Sequence, residues 1–186
     1  MTKEQLTDLL SRIHDKNNII WIANNLVEID FSVKKLIEIT FNPQLAIGFR
    51  AAWLLDNLQE IHPTYFEKYV DYFMQLFSSV TNPSCRRHFV RILKRLLQHK
   101  NTRKKILNNQ NILDVTETCF TWLTDAQTRV AVRVHCMDVL YELIETSTWI
   151  QQELYARTSL LTHTNNSPGI QTATKRLLKK LMIIKN

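Results

Sequence analysis

Apolar residues return every three or four positions along most of this chain, the period of helices that bury one face. The first run opens near Lys3, behind Thr2 and Gln5 at the spacing of a capping box. A second covers 19–29 with Ile19, Ile22, Leu26 and Ile29 on one face, and Asp30 then has the place of a cap for a third, which carries Val33, Leu36, Ile37 and Phe41. Asn42-Pro43 opens a long run through Phe49, Trp53, Leu54, Leu55 and Leu58, and His62-Pro63 stops it. An aromatic run follows, with Tyr65, Phe66, Tyr69, Tyr72, Phe73 and Phe77, before Asn82-Pro83 starts one with Phe89, Ile92, Leu93, Leu96 and Leu97. Around Ile106 and Leu107 the stretch 98–111 is polar, as for a short helix between loops. Four further runs cover 112–123, 125–144, 149–161 and 168–184, with a loop expected at 162–167. The pattern predicts an all-α chain of ten or eleven helices in a single domain, 1–186.

Two longer periods overlie the helical one. Pro43, Pro63 and Pro83 recur every 20 residues, each behind a capping or turn residue, and Pro168 follows Ser167 in the same way. Proline suits the first position of a helix, where its missing N–H would have had no partner. The pattern aliphatic-Leu-x-x-Leu recurs at Leu54-Leu55-Leu58, Ile92-Leu93-Leu96, Val139-Leu140-Leu143 and Leu177-Leu178-Leu181, at intervals of 38, 47 and 38 residues, with a forerunner in Ile22-Ala23-Leu26. Repeats of about 40 residues built from helix pairs bury their apolar faces only by stacking.

Asp125 followed by Val132-Arg133-x-x-Cys136-x-x-x-Leu140 resembles the HEAT consensus, in which an Asp in the turn precedes Val-Arg-x-x-Ala-x-x-x-Leu on the second helix; here the gap is longer and Cys136 takes the alanine slot. From Asn42 onward, Phe49-Arg50-Ala51-Ala52-Trp53-Leu54-Leu55, Arg86-Arg87-His88-Phe89, 119–125 and 131–135 look like a family of small bacterial helical-repeat proteins. Members of that family often carry an adenylosuccinate lyase label. The Gly- and Ser-rich signature loop of true lyases, with its Met, Lys and Asn, has no counterpart here. The resemblance implies a HEAT-like or armadillo-like α-α superhelix and carries no established activity with it.

Composition narrows the alternatives. With 45% hydrophobic residues in 186 the chain can bury a real core, and two glycines and four prolines argue against sandwiches, barrels and phosphate-cradling loops. Residues 1–10 lack the basic-then-apolar order of a targeting peptide, and no apolar run approaches the roughly 18 residues that span a bilayer. Three dispersed cysteines suit a reducing compartment, so the expected location is cytoplasmic, without a membrane partner.

Charge adds a candidate surface. The net +7 divides into −3 over 1–71, +9 over 72–113, −5 over 114–153 and +6 over 154–186. On a helical wheel Arg87, Arg91, Lys94 and Arg95 oppose Phe89, Ile92, Leu93 and Leu96 and are expected to project to solvent; Lys175, Arg176, Lys179 and Lys180 make a second basic stripe. A plainer reading is solvated faces whose long stems cover apolar surface. As a binding surface, the stripes fit a protein partner better than a nucleic acid, because the −5 block interrupts any continuous phosphate track. Nucleic acid remains the alternative, with Tyr65, Tyr69 and Tyr72 as potential stacking groups, although their positions fit core packing more simply.

No complete catalytic motif is present, and a non-enzymatic chain without cofactor or metal is expected. The histidines, His14, His62, His88, His99, His135 and His163, form no His-x-x-x-His pair, and there is no Cys-x-x-Cys. His135 and Cys136 are adjacent, so on a helix they diverge by about 100°. Arg50 and Arg133 lie among apolar neighbours, where each needs a carboxylate or a helix end. A small anion, if bound, would find Arg50, Arg87, His88, Arg133 and His135. The enzyme alternative is a helical-repeat DNA glycosylase, a class that combines a HEAT-like scaffold and a basic concave face with a Trp and a carboxylate. Here Trp53 is followed at four residues by Asn57, and Trp149 by Glu153.

Overall fold

Thr2 starts the first helix with the predicted capping box: its Oγ1 accepts from Gln5 N at 3.2 Å, and Gln5 Oε1 accepts from Thr2 N at 2.9 Å. The computed structural model describes residues 1–13, 15–28, 31–164 and 167–184, and among these there is no strand. The expected apolar position Ile29, the expected cap Asp30, and His14 lie outside the described residues. The helices are α1 (Lys3–Ser11), α2 (Lys16–Asn25), α3 (Val33–Ile39), α4 (Leu45–Ile61), α5 (Pro63–Phe66), α6 (Val70–Phe77), α7 (Pro83–Gln98), α8 (Lys100–Leu107), α9 (Ile112–Thr124), α10 (Val130–Leu143), α11 (Thr148–Thr164) and α12 (Pro168–Ile184). A 3₁₀ turn, Glu67–Tyr69, joins α5 to α6, and with Pro63–Phe77 taken as one run the described helices number eleven.

Three prolines open helices as expected: Pro63, Pro83 and Pro168. Pro43 does not. Asn42 Oδ1 accepts from Gln44 N at 2.8 Å, a side-chain turn that delays α4 to Leu45. Asp125 likewise opens a turn rather than a helix, with Oδ1 accepting from Gln127 N at 2.9 Å and Oδ2 from Thr128 Oγ1 at 2.8 Å, so α10 begins only at Val130. In the stretch expected to be a loop, residues 162–164 continue α11.

The chain forms two compact units, Met1–Asn109 and Gln110–Asn186. In the first, α2, α4 and α7 pack side by side as one layer of second helices, and α3 lies against α4. Alongside them α1, α3, α6 and α8 form a layer of first helices. Their surfaces are tied by Lys3–Glu38 at 3.3 Å, Tyr72–Glu38 at 3.1 Å and Asn109–Asp71 at 2.8 Å. Phe66, Phe73, Phe77 and Phe89 are fully buried in this unit, with Phe73 stacked on Phe89 at 5.1 Å. In the second unit α9 pairs with α10 and α11 with α12, and α10 packs on α12.

The repeated leucine pattern falls on α4, α7, α10 and α12, and its forerunner on α2, so every copy belongs to a second helix. All its apolar positions are buried except Leu178, which is half-buried. The long 47-residue interval is the one that contains the additional short helix α8.

The backbone of α4 comes close to the end of α3 at Gly48. A Cβ there would lie 2.8 Å from Thr40 O and 3.3 Å from Asn82 Nδ2. Asn82 fixes this junction twice, capping α7 by accepting from Ser84 N and donating through Nδ2 to Leu45 O at 3.0 Å.

Candidate site on the second-helix face

Asp56 is the most constrained charged residue in the first unit. It points from α4 toward α7 with its side chain 1% exposed, where a lone carboxylate would be costly. Three bases meet it: His88 Nδ1 at 2.7 Å, Arg91 Nη1 at 3.0 Å and Arg95 Nη2 at 2.5 Å. Arg95 also donates from Nε to Gln59 Oε1 and from Nη2 to the Asp56 carbonyl at 2.8 Å, while Glu60 lies 3.6 Å from Arg91 and 3.7 Å from Arg95. Burial pushes the Asp56 carboxyl up, but the His88 hydrogen bond and the Arg95 charge outweigh it and hold the group below the usual carboxylate range.

This cluster corrects the expectation that all four α7 bases project to solvent. Arg87 does. Arg91 and Lys94 are half-buried, and the Arg95 side chain, at 19% exposure, folds down onto α4. The apolar half of that expectation holds, since Phe89, Ile92, Leu93 and Leu96 are all buried. On α12, Lys175, Arg176, Lys179 and Lys180 are exposed. There Arg176 reaches Asp138 of α10 at 3.0 Å, and Lys180 Nζ sits 5.0 Å from the centre of the Tyr141 ring. In each unit, then, a basic second helix leans on an acidic or aromatic one.

The five residues grouped as an anion pocket divide between the units. In the first, Arg50 donates to Leu10 O and Ser11 O at the end of α1, His88 is taken by Asp56, and Arg87 stays on the surface. In the second, Arg133 Nε donates to Leu123 O at 2.8 Å, closing the C-terminus of α9. Burial pulls its guanidinium down from the usual arginine value, and Asp125 opposes that pull. Both the half-buried Arg50 and the buried Arg133 therefore satisfy helix ends, as their apolar neighbours in the sequence required. His135, half-buried, lines a shallow groove with Val134, Gly169, Thr172 and Arg176. Glu153, the carboxylate at glycosylase spacing, is bound by Arg157 Nε at 2.5 Å, and Asn57 donates to the Trp53 carbonyl at 2.8 Å. Tyr65, Tyr69 and Tyr72 are half-buried rather than core residues. Tyr65 donates to Phe31 O at 2.6 Å, Tyr72 to Glu38 Oε1, and Lys34 and Lys68 cover the rings.

Beside the Asp56 cluster lies an aromatic pair that belongs to the apolar run expected to be buried. Phe49 and Trp53, one turn apart on α4, stack at 5.8 Å and remain half-buried, and Phe49 also touches the His88 ring at 5.6 Å. A signal for this surface was present in the leucine repeat, one position outside its apolar core. Extended by a residue, the repeat reads Trp21-Ile-Ala-Asn-Asn-Leu26, Trp53-Leu-Leu-Asp-Asn-Leu58, Arg91-Ile-Leu-Lys-Arg-Leu96, Asp138-Val-Leu-Tyr-Glu-Leu143 and Arg176-Leu-Leu-Lys-Lys-Leu181. The second, third and sixth residues fill the core, while the first, fourth and fifth change chemistry from helix to helix. Trp21, first in its copy, is 66% exposed, and Asn25 donates to its carbonyl as Asn57 does to that of Trp53.

No described helix is long and apolar enough to cross a membrane. No curated protein matches the chain. A family model for the HEAT repeat domain matches residues 6–181, spanning nearly every helix described above. Such repeats generally serve as scaffolds for interaction and are typically non-enzymatic. With its stacked helix pairs, the Asp125 turn and the Arg133 bond that closes α9, the chain belongs to the HEAT repeat domain family.

Proposed function

We propose that this chain is a non-enzymatic interaction module that holds a protein partner against the second helices of its first unit. The observation that supports this most is the division of labour within the repeated six residues. The apolar positions keep one chemistry on every copy, whereas the outward positions run from Trp and Asn on α2, through Trp and Asn on α4, to Arg and Lys on α7, with the fourth position of α4, Asp56, buried against α7. Uniform inner positions build a stack; varied outer positions make a surface that reads a partner.

The internal pairing of the basic block weighs against a phosphate track. Asp56 and Glu60 engage Arg91 and Arg95, and a carboxylate beneath a cation weakens its hold on phosphate. A photo-reactive phenylalanine replacing Trp21, and in a second sample replacing Gln75 on α6, tests the reading in native lysate. Protein adducts are expected from position 21 and not from the exposed position 75. Equal adducts from both positions, or nucleic acid as the adduct at position 21, would sink it.

A further inference from the structure

Resting on that reading, we infer that the occupant is an extended acidic segment of a partner protein, with apolar side chains on Trp21 and on the Phe49–Trp53 shelf and a carboxylate on Arg87. Charge complementarity supplies the sign. Across the α4–α7 face, Arg87, Arg91, Lys94 and Arg95 bring four cations, whereas Asp56 and Glu60 bring two carboxylates, leaving a positive surplus of two. Arg87, the exposed member, lies one helical turn before Arg91 on α7, so it continues the stripe that meets α4 at Asp56 beside the shelf.

The aromatic side has the complementary property. Phe49 and Trp53 present a stacked, half-buried surface on α4, and Trp21 occupies the matching position on α2, which packs against α4. Around these rings the outward residues of α2 and α4 are Asn24, Asn25 and Asn57, which are uncharged and can hydrogen-bond a peptide backbone. A single-stranded nucleic acid needs cations along its whole path. On this face they stand at one end only.

Spacing follows from the helix stack. Packed helices lie about 8–10 Å apart, and an extended chain rises about 3.3 Å per residue, so a peptide crosses from one second helix to the next in roughly three residues. The expected segment therefore places a large apolar residue over Trp21, a second about three residues away over Phe49–Trp53, and Asp or Glu about three residues beyond, over Arg87.

A random 12-residue peptide display library selected on the full chain tests this. Enriched peptides are expected to carry two large apolar residues and an acidic residue at that spacing. Their binding is expected to fall at least about tenfold with either Trp53→Ala or Arg87→Glu, and to be unchanged by Lys175→Glu in the second unit. Arg87 is on the surface, so its substitution reports on binding even if Trp53→Ala weakens the fold. Peptides rich in Lys or Arg, peptides indifferent to Arg87→Glu, failure to enrich any sequence, or displacement of the peptides by a thymidine 20-mer at 0.15 M salt would each overturn the inference. Protein adducts at position 21 together with basic library peptides would leave the scaffold standing and remove only the acidic partner.

Discussion

Asp56 shows how one side chain sets the behaviour of a face. Its carboxylate is the common acceptor for the buried His88 and the half-buried Arg91 and Arg95, so replacing it with Asn removes the one charge that all three share and leaves only Glu60 near the two arginines. Asp56→Asn is expected to cost about 3–5 kcal/mol, the usual penalty for breaking a buried pair from one side, as read by chemical denaturation at neutral pH. The pH dependence has a definite sign. Because folding lowers this carboxyl from its ordinary 3.8, its contribution is complete above that pH, shrinks as the pH falls below it, and is gone once the pH passes the lowered value. The wild-type chain should therefore show an acid limb in stability below about pH 4 that is diminished in the Asn variant. An unchanged limb would mean that other carboxylates carry it.

At the scale of the helix, α7 divides into a buried stripe and a bridging one. Leu93 is completely buried, and Leu93→Ala should cost about 2–5 kcal/mol in a denaturant titration. The half-buried Leu178, its counterpart on α12, should cost distinctly less on the same substitution. That difference between two copies of one motif could not be seen from periodicity, which treats every copy alike. The apolar stripes themselves, the capping box at Thr2 and the three helix-opening prolines were legible because each depends on residues within one turn of chain. Arg95 was not legible in that way. A wheel places it relative to its own helix, whereas its long stem is bent by Asp56, 39 residues away on α4. Phe49 and Trp53 were hidden for the opposite reason: aromatic residues amid leucines look like core, whereas both are only half-buried, with the His88 ring of α7 covering part of Phe49. Asn42 and Asp125 each postponed a helix by binding backbone or hydroxyl groups two or three residues on, a local competition that apolar spacing does not register.

Over the whole molecule, the alternation of charge blocks follows from pairing between neighbouring helices, with a positive surplus left on the α4–α7 face. The basic α7 leans on acidic α4 and the basic α12 on α10, so block follows block because helix follows helix within each unit. The thiols give a second property of the chain at large. Cys85, Cys119 and Cys136 are all buried, and burial pushes the Cys85 thiol up to about 12. A thiol-reactive chromogen should find essentially no cysteine in the native protein and three after denaturation; rapid reaction of any one in the native state would show that its helix opens readily. The polar bridges between neighbouring helices carry a further consequence. Lys3–Glu38, Asp56–Arg95, Asp71–Asn109, Phe120–Arg157 and Asp138–Arg176 join residues 35, 39, 38, 37 and 38 positions apart, so each bond spans about one repeat. Links of that reach close short loops as the chain folds, and loop closure is what slows topologies with distant pairings. Bridges of one-repeat reach therefore favour rapid folding within each unit, starting from whichever helix pair forms first.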